Sequence, residues 1–307
     1  MRQRAAVVLL VAVALLASLV WTEESWGQAK ILRVGILTRP VMSGNFDNAL
    51  IERFARALAQ HGWSEGKNVS FEYRSTRGDP PQFEASAAEL VGLHVDVIFA
   101  NSAPATRAAF EATKTIPIVG LDFTNDPVTA GYVESYAHPG RNLTGLFLDA
   151  PEFAGKWLEL LKALIPRLSR VAVLWDPSPG AAHLTAVQGA ARSFGVRLQV
   201  LEVHSPGDIE SALSALHGEP QALLILPSPM TYSQSDRLAE LTLKHRLPAT
   251  SMAGEFVQAG GLLSYGPELA EAIERCAILV SRVLGGAKPG DLPVERPTKL
   301  PLIINLK

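Results

Sequence analysis

Short apolar runs of strand length alternate with longer amphipathic segments along the chain after residue 30. Residues 31–37, 69–73, 96–100 and 116–121 are the first four runs, and segments with helical apolar spacing separate them. Neighbouring parallel strands need a long crossover, usually a helix, and strands buried on both faces are apolar throughout. This order therefore predicts a parallel sheet that is covered by helices on both faces.

The alternation is interrupted after residue 121 and then resumes. Turn-forming clusters occupy residues 125–127 and 138–140, and strands are predicted at 142–148, 170–175, 197–203, 222–226, 248–252 and 261–265. A chain of 307 residues that is 48% hydrophobic is long enough for two full cores. The predicted fold class is α/β, with two doubly wound parallel-sheet lobes that are divided near residues 144–153.

The first 29 residues have the pattern of an export signal. Arg2 and Arg4 precede an unbroken apolar run over residues 5–20, and small residues lie near Ala29. We expect a signal peptide over residues 1–29, cleaved before Lys30, and hence a periplasmic or extracytoplasmic protein. An uncleaved N-terminal anchor is the alternative.

Composition and missing motifs exclude several classes of function. A net charge of −2 gives no support for a generally basic surface that would bind nucleic acid, although it leaves a local basic patch open. The single cysteine, Cys276, can form neither an intrachain disulfide nor a cysteine metal cage, and its apolar helical neighbours favour a buried small hydrophobe over a reactive thiol. The seven histidines lack metal-ligand spacing, and no dinucleotide, Walker, zinc-protease or nucleophile-elbow motif is present. We therefore expect no catalytic residue, metal or cofactor.

Loops that follow strands are the places to search for a ligand site, because open α/β sheets bind ligands outside the carboxyl ends of their strands. Ser102 is placed to cap a helix with Pro104 in its first turn, which suits an anion such as a carboxylate, although an ordinary cap has the same pattern. The candidate ligand-binding residues of the first unit are Thr38, Asn45, Phe46, Ser102, Ala103, Thr106, Asp122, Phe123 and Thr124.

The second unit contributes three candidates, Asp176, Tyr232 and Glu255. Glu255 either pairs with a ligand ammonium group or begins a surface helix, and Asp176 beside Pro177 is either a ligand contact or a turn former. Tyr232 and Phe123 either enclose an apolar or aromatic part of a ligand or are core aromatics. The sequence leaves each of these alternatives open.

Several longer stretches resemble one known family over residues 33–307. They are residues 34–37, 58–69, 137–145, 246–249, 255–266 and 286–299, of which the last two, EFVQAGGLLSYG and GAKPGDLPVERPTK, are long and specific. They are similar to ABC-transporter substrate-binding proteins of the TrpX-type group, which have the type I periplasmic binding fold. Members of that group usually continue past Lys307 into a further helix, so we expect a shortened or divergent version here.

The resemblance implies a three-stranded hinge, with crossings near residues 144–153, 265–267 and 290–297. One lobe would hold residues 30–147 and 267–290, and the other would hold residues 148–266 and 291–307. By the same analogy, Ser102, Thr106 and Thr124 would face a ligand carboxylate, and Glu255 would face its amine.

The function expected from these observations is that of a monomeric, non-catalytic solute-binding protein of an ABC importer. Its lobes would close on one small molecule, with an amino acid or other carboxylate favoured, and the closed form would dock on a membrane permease. A ligand sensor that signals to a membrane kinase is the first alternative. An exported α/β enzyme is the second.

Overall fold

The structure, a computed structural model, describes residues 30–38, 44–76, 80–148, 151–217 and 219–307. The predicted signal peptide lies outside the described residues. Residues 32–307 form one structural unit that contains two sheets and their covering helices. Among the described residues, no helix has both the length and the apolar character that a membrane span requires.

The first lobe consists of five strands and the helices between them. In chain order these are β1 (Leu32–Thr38), α1 (Gly44–Gln60), β2 (Val69–Ser75), α2 (Pro80–Gly92), β3 (Val97–Asn101), α3 (Ala103–Ala112), β4 (Ile118–Asp122) and β5 (Leu143–Phe147). The strand order is β2-β1-β3-β4-β5, and all pairs are parallel. As the continuous apolar runs predict, successive residues face two different cores: Val97 and Phe99 pack into one, and Ile98 and Ala100 into the other.

The second lobe holds six strands. Its elements are α4 (Pro151–Leu164), β6 (Arg170–Trp175), α5 (Ala182–Phe194), β7 (Arg197–Glu202), α6 (Asp208–Ser214), β8 (Ala222–Ile225), α7 (Pro229–Ser233), α8 (Ser235–Lys244), β9 (Ala249–Ser251), α9 (Gly254–Gln258), β10 (Leu263–Tyr265) and, later in the chain, β11 (Leu302–Ile304). The order is β11-β10-β9-β8-β6-β7, and β11 is antiparallel to β10 while the other pairs are parallel.

The helix that follows β10 returns to the first lobe. This helix, α10 (Leu269–Leu284), packs against α1 and against β3, β4 and β5. Its buried side recurs every three or four residues and includes Ile273, Cys276 and Val280. Cys276 is fully buried, as predicted, and burial raises the pKa of its thiol far above the usual range, which makes the thiol inert.

The chain passes between the two lobes three times: after β5, after β10, and between the 3-10 turn at Pro289–Asp291 and β11. The last crossing is fastened to β5, because the hydroxyl of Thr144 donates to the carbonyl of Leu292 over 2.9 Å and Glu295 bridges to Leu146. Arg275 of α10 also holds Glu295 through two hydrogen bonds of 2.6 and 2.8 Å. The predicted α/β fold of two lobes and a three-stranded hinge is confirmed, while the lobe boundaries stay predictions.

Candidate functional site

A cleft of about 660 Å³, counted out to the open solvent, lies where the carboxyl ends of both sheets face each other. The first lobe lines it mainly with residues at the ends of β1, β3 and β4, and the second lobe with the loops after β6 and β8. The described residues around it are Thr38, Leu50, Asn101, Ser102, Ala103, Leu121, Phe123, Thr124, Pro179, Pro227, Ser228, Pro229, Tyr232 and Leu269. Such a crevice between two doubly wound sheets is the usual ligand position in open α/β folds.

Ser102 joins β3 to α3 in a strained backbone conformation. Its φ of 150° and ψ of 165° lie in a region that only glycine enters readily, and such strain costs about 1–3 kcal/mol. The side chain caps α3 by accepting a hydrogen bond from the N–H of Ala105 over 3.3 Å. Pro104 has no N–H and the N–H of Thr106 donates to the carbonyl of Ser102, so the N–H of Ala103 remains as the first-turn donor at the cleft.

The loop after β4 is held rigidly by Asp122. This carboxylate is fully buried and accepts hydrogen bonds from the N–H of Thr124 at 2.7 Å, and from the N–H and the side-chain amide of Asn125 at 3.2 and 2.8 Å. Burial raises the pKa of Asp122 to about 6, although these hydrogen bonds lower it. Asp122 thus fixes the turn that presents Phe123 and Thr124 to the cleft.

The loop after β8 forms the opposite wall. Ser228 and Thr231 make a reciprocal capping box, in which the N–H of Thr231 donates to the hydroxyl of Ser228 over 3.1 Å and the N–H of Ser228 donates to the hydroxyl of Thr231 over 2.9 Å. Pro229 occupies the first turn of α7, where its missing N–H leaves no bond unmade. The wall is therefore preformed.

Tyr232 lies on the same wall and is buried. Its phenol oxygen has no hydrogen-bond partner among the described residues, which is rare for a buried polar atom. Burial and, secondarily, the charge of Glu255 raise the pKa of this phenol far above the usual range, so the hydroxyl stays protonated. Tyr232 therefore carries an unused hydrogen-bond donor that is buried in the wall of the cleft.

Six of the predicted site residues line the cleft together: Thr38, Ser102, Ala103, Phe123, Thr124 and Tyr232. The side chains of Asn45 and Phe46 lie outside the described residues. The structure places Thr106, Asp122, Asp176 and Glu255 outside the described lining.

Each of these four outlying residues has a different environment. Thr106 is fully buried, and its hydroxyl donates to the carbonyl of Ala100 over 3.4 Å. Asp176 is buried and accepts from the N–H of Ser178 over 2.9 Å. Glu255 begins the short helix α9 and is half-buried. Thr106 and Asp176 therefore hydrogen-bond to backbone groups near strand ends, outside the described lining.

Sequence reasoning missed eight of the lining residues: Leu50, Asn101, Leu121, Pro179, Pro227, Ser228, Pro229 and Leu269. Asn101 and the 227–229 loop directly follow predicted strands, so position alone pointed to them. Leu269 had no local signal, because it reaches the cleft only through the return of α10.

The described lining combines hydroxyl and amide groups with apolar surface. It includes no carboxylate, imidazole, thiol or ammonium group, and no described cluster of three or more His, Cys, Asp or Glu residues could hold a metal. Such a surface is suited to hold a small molecule by hydrogen bonds and apolar contact.

Comparison with known proteins reveals the relatives of this chain. The sequence profile described as ABC transporter substrate binding protein matches residues 39–307. A tyrosine-binding protein from Clostridioides difficile (strain R20291) is 26% identical over an alignment of 258 residues, and the match covers 82% of this chain and 73% of that protein.

Two solved structures share the fold. An ABC domain in complex with L-Trp from Streptococcus pneumoniae is 22% identical, with a TM-score of 0.76 and coverage of 89% of this chain and 92% of that chain. A ligand-free, open structure of a substrate binding protein with adhesive properties from Clostridium difficile is 25% identical, with a TM-score of 0.61 and coverage of 90% and 92%. Because the family profile spans most of the chain, the resemblance seen in the sequence is confirmed, and the protein belongs to the family of ABC transporter substrate binding proteins.

Proposed function

We propose that the protein is the exported solute receptor of an ABC importer, and that it traps one aromatic amino acid, unaltered, in the cleft between its lobes. The observation that carries this proposal is the cleft itself, which opens between the carboxyl ends of two parallel sheets. The family match supports a binding rather than a catalytic role. In the proposed cycle the closed, loaded form docks as a monomer on a membrane permease.

The lining supports an amino acid with a large apolar side chain. Phe123 and Tyr232 supply aromatic surface, and Leu50, Leu121 and Leu269 extend the apolar area. The relatives are named for tyrosine binding and for a complex with L-Trp, which agrees with this chemistry.

Polar groups of the first lobe suit the ligand carboxylate. In this proposal the hydroxyls of Ser102 and Thr124 and the N–H of Ala103, at the positive end of α3, donate to it. The strain at Ser102 supports a functional role, since strained residues cluster at ligand sites.

Hinge closure is the proposed motion. Three crossings join the lobes, and rotation about a few residues in them would open the cleft without breaking either sheet. The solved ligand-free relative is described as open, which supports an open state in this fold. A ligand that contacts both walls binds the closed form better and shifts the equilibrium toward it.

Ligand screening by thermal shift and solution scattering tests the proposal. We expect L-Trp or L-Tyr to raise the melting temperature, since a ligand that binds only the native state stabilises it. We also expect the radius of gyration to fall, whereas D-glucose and L-Glu serve as mismatched controls. NMR of the recovered ligand should show it chemically unchanged.

Two results would contradict the proposal. One is a sugar that raises the melting temperature while the aromatic amino acids do not, which would refute the ligand class. The other is tight binding with no change in radius of gyration, which would refute closure. Export is tested separately, because the N-terminal sequence of the secreted protein should begin at Lys30.

A further inference from the structure

A small recess opens from the first-lobe wall of the cleft, beneath the helix α1. Thr38, Leu50 and Asn101 line the cleft and the recess alike, so these three residues form the rim that joins the two spaces. The other described residues of the recess are Ile36, Ile51, Phe54, Phe99 and Ile273. The recess is therefore a side branch of the cleft that leads toward buried residues of the first lobe.

The register of the sheet separates a polar rim from an apolar floor. Thr38 and Asn101 are direct neighbours at the ends of β1 and β3, and Ile36 and Phe99 are the pair two residues before them. Side chains alternate between the two faces of a strand, so both pairs lie on one face, and two residues of a strand span about 6.6 Å. A group that enters between Thr38 and Asn101 thus meets hydrocarbon below.

Aromatic packing makes the floor of the recess rigid. The rings of Phe54 and Phe99 stack with their centroids 4.6 Å apart and an interplanar angle of 4°. Ile36 and Ile273 beside them are 2% and 1% exposed, respectively. Because a close-packed interior yields little to an added atom, we expect the recess to keep its shape when a ligand binds.

The recess is too small for a whole ring, but it has room for the group at the tip of one. About 10 Å³ of it is accessible to the centre of a water-sized group, which corresponds to about one such group. Below the rim, its described lining contains no polar side chain. A hydroxyl group would lose its hydrogen bonds to water there without replacement, whereas a methyl group would gain apolar contact.

The recess lies beside the proposed anchor for the ligand carboxylate. Asn101 of the rim directly precedes Ser102 and Ala103, whose hydroxyl and N–H are two of the proposed donors. Leu50 belongs to both the cleft and the recess, so apolar surface continues from one to the other. A ligand held at Ser102 can therefore lay its ring along Leu50 and place the tip in the recess.

We propose that this recess is the specificity subsite of the cleft, and that it selects aromatic amino acids whose ring ends in carbon over those whose ring ends in a hydroxyl group. The inference rests on the proposed function, which supplies the class of ligand. Selection comes from the cost of burying an unpaired hydroxyl group against the apolar floor. A pocket of this kind rejects a hydroxylated isostere by roughly 100-fold at most.

Three probes that differ only at the tip of the ring test this selection by calorimetric titration. They are L-Phe, L-Tyr and 4-methyl-L-phenylalanine, of which the last two have nearly the same shape. We expect 4-methyl-L-phenylalanine to bind about fourfold more tightly than L-Phe, as for one buried methyl group. We expect L-Tyr to bind roughly 10- to 100-fold more weakly than 4-methyl-L-phenylalanine.

A substitution in the wall of the recess locates the selection. Ile51→Thr gives the recess a hydroxyl group that can pair with that of L-Tyr, so the ratio of the two dissociation constants should fall at least fivefold. Ile304→Thr is the matched control, because Ile304 lies on β11 of the second lobe and outside the described lining, and it should leave the ratio unchanged. Ile51→Val serves if Ile51→Thr does not fold, since the enlarged recess should favour 4-ethyl- over 4-methyl-L-phenylalanine more than the wild type does.

Equal or tighter binding of L-Tyr than of 4-methyl-L-phenylalanine by the wild type overturns the subsite. The same holds if the ratios measured for the folded Ile51 variants equal those of the wild type, since the tip of the ring then lies elsewhere. Failure of all three probes to bind would refute the proposed ligand class, and with it the inference that rests on it. Binding without discrimination would refute the subsite alone.

Discussion

Replacing Tyr232 with Phe removes one oxygen atom from the wall of the cleft and leaves the ring in place. That oxygen is buried and has no hydrogen-bond partner among the described residues. An unsatisfied buried hydroxyl costs about 1–3 kcal/mol, so a gain of about 1 kcal/mol is the least expected from removing it. The empty Tyr232→Phe protein should therefore be more stable, by about 1 kcal/mol, or about 2–4 °C in melting temperature.

Ligand binding should respond in the opposite direction. The phenol stays protonated, and under the proposed function it would donate to an acceptor on the bound ligand. Its loss leaves that acceptor buried and unpaired, which costs about 1–3 kcal/mol, or a 5- to 150-fold increase in the dissociation constant. A stabilised empty protein with weakened binding is the signature to look for.

Calorimetric titration with L-Trp and thermal melts of the empty protein measure the two effects. Tyr136→Phe is the matched control, because the hydroxyl of Tyr136 donates to Asp126 over 2.7 Å and accepts from Arg296 over 3.1 Å. That variant loses satisfied bonds, so its melting temperature should fall while its affinity stays within about twofold. The reasoning fails if Tyr232→Phe melts lower than the wild type, or binds L-Trp equally well.

Three further predictions concern the backbone and the buried charges. Ser102→Gly should stabilise the empty protein by about 1 kcal/mol, because it relieves the backbone strain. Ser102→Ala keeps the strain and loses the helix cap, so it should destabilise the protein by about 1 kcal/mol. Equal melting temperatures of the two variants would contradict this. Gly145→Ala should lower the free energy of unfolding, measured by chemical denaturation, by about 4 kcal/mol or more, because at a φ of 154° the added methyl group overlaps the neighbouring strand. The control Gly155→Ala lies inside α4 with open space around it and should stabilise the protein by about 0.5–1 kcal/mol. Burial lowers the pKa of His183 from 6.5 to about 4, so the unfolded chain binds the extra proton and stability falls as the pH drops through this window. Burial raises the pKa of Asp122 from 3.8 to about 6, so the folded chain binds the extra proton and stability rises as the pH drops through 6. In the wild type these two effects on stability nearly cancel, whereas His183→Leu removes the histidine's unfavourable effect. The variant should therefore lose about 3 kcal/mol less stability than the wild type between pH 6.5 and pH 4. Identical pH profiles of the two proteins would contradict this.

Local pattern was sufficient to predict most elements of both sheets. Continuous apolar runs marked the parallel strands, and Ser102 with Pro104 marked the start of α3. The return of α10 to the first lobe was different, since nothing in residues 269–284 says which sheet they cover, and only the family resemblance predicted it. The edge strand β11 was missed because three residues, two of them exposed, carry little periodic signal.

The candidate site was predictable to the level of loops, not of side-chain directions. Asp122 is the last residue of β4 and shares a face with Ile118, whereas Leu121 shares the opposite face with Val119 and reaches the cleft. The predicted site residues after β4 therefore included Asp122, whose side chain faces away from the cleft. Thr106 lies one turn into α3, and only the packing against Gly120 decides that it faces the sheet.

The return of α10 means that each lobe is assembled from distant parts of the polypeptide. α10 begins more than 200 residues after α1, the helix it covers, and β11 joins the second sheet only at residues 302–304. A ribosome must finish nearly the entire polypeptide before either lobe can acquire all its pieces, and closing such long loops is slow. Late folding would suit the proposed export of the protein as an extended chain. The same arrangement means that no single cut releases one lobe intact.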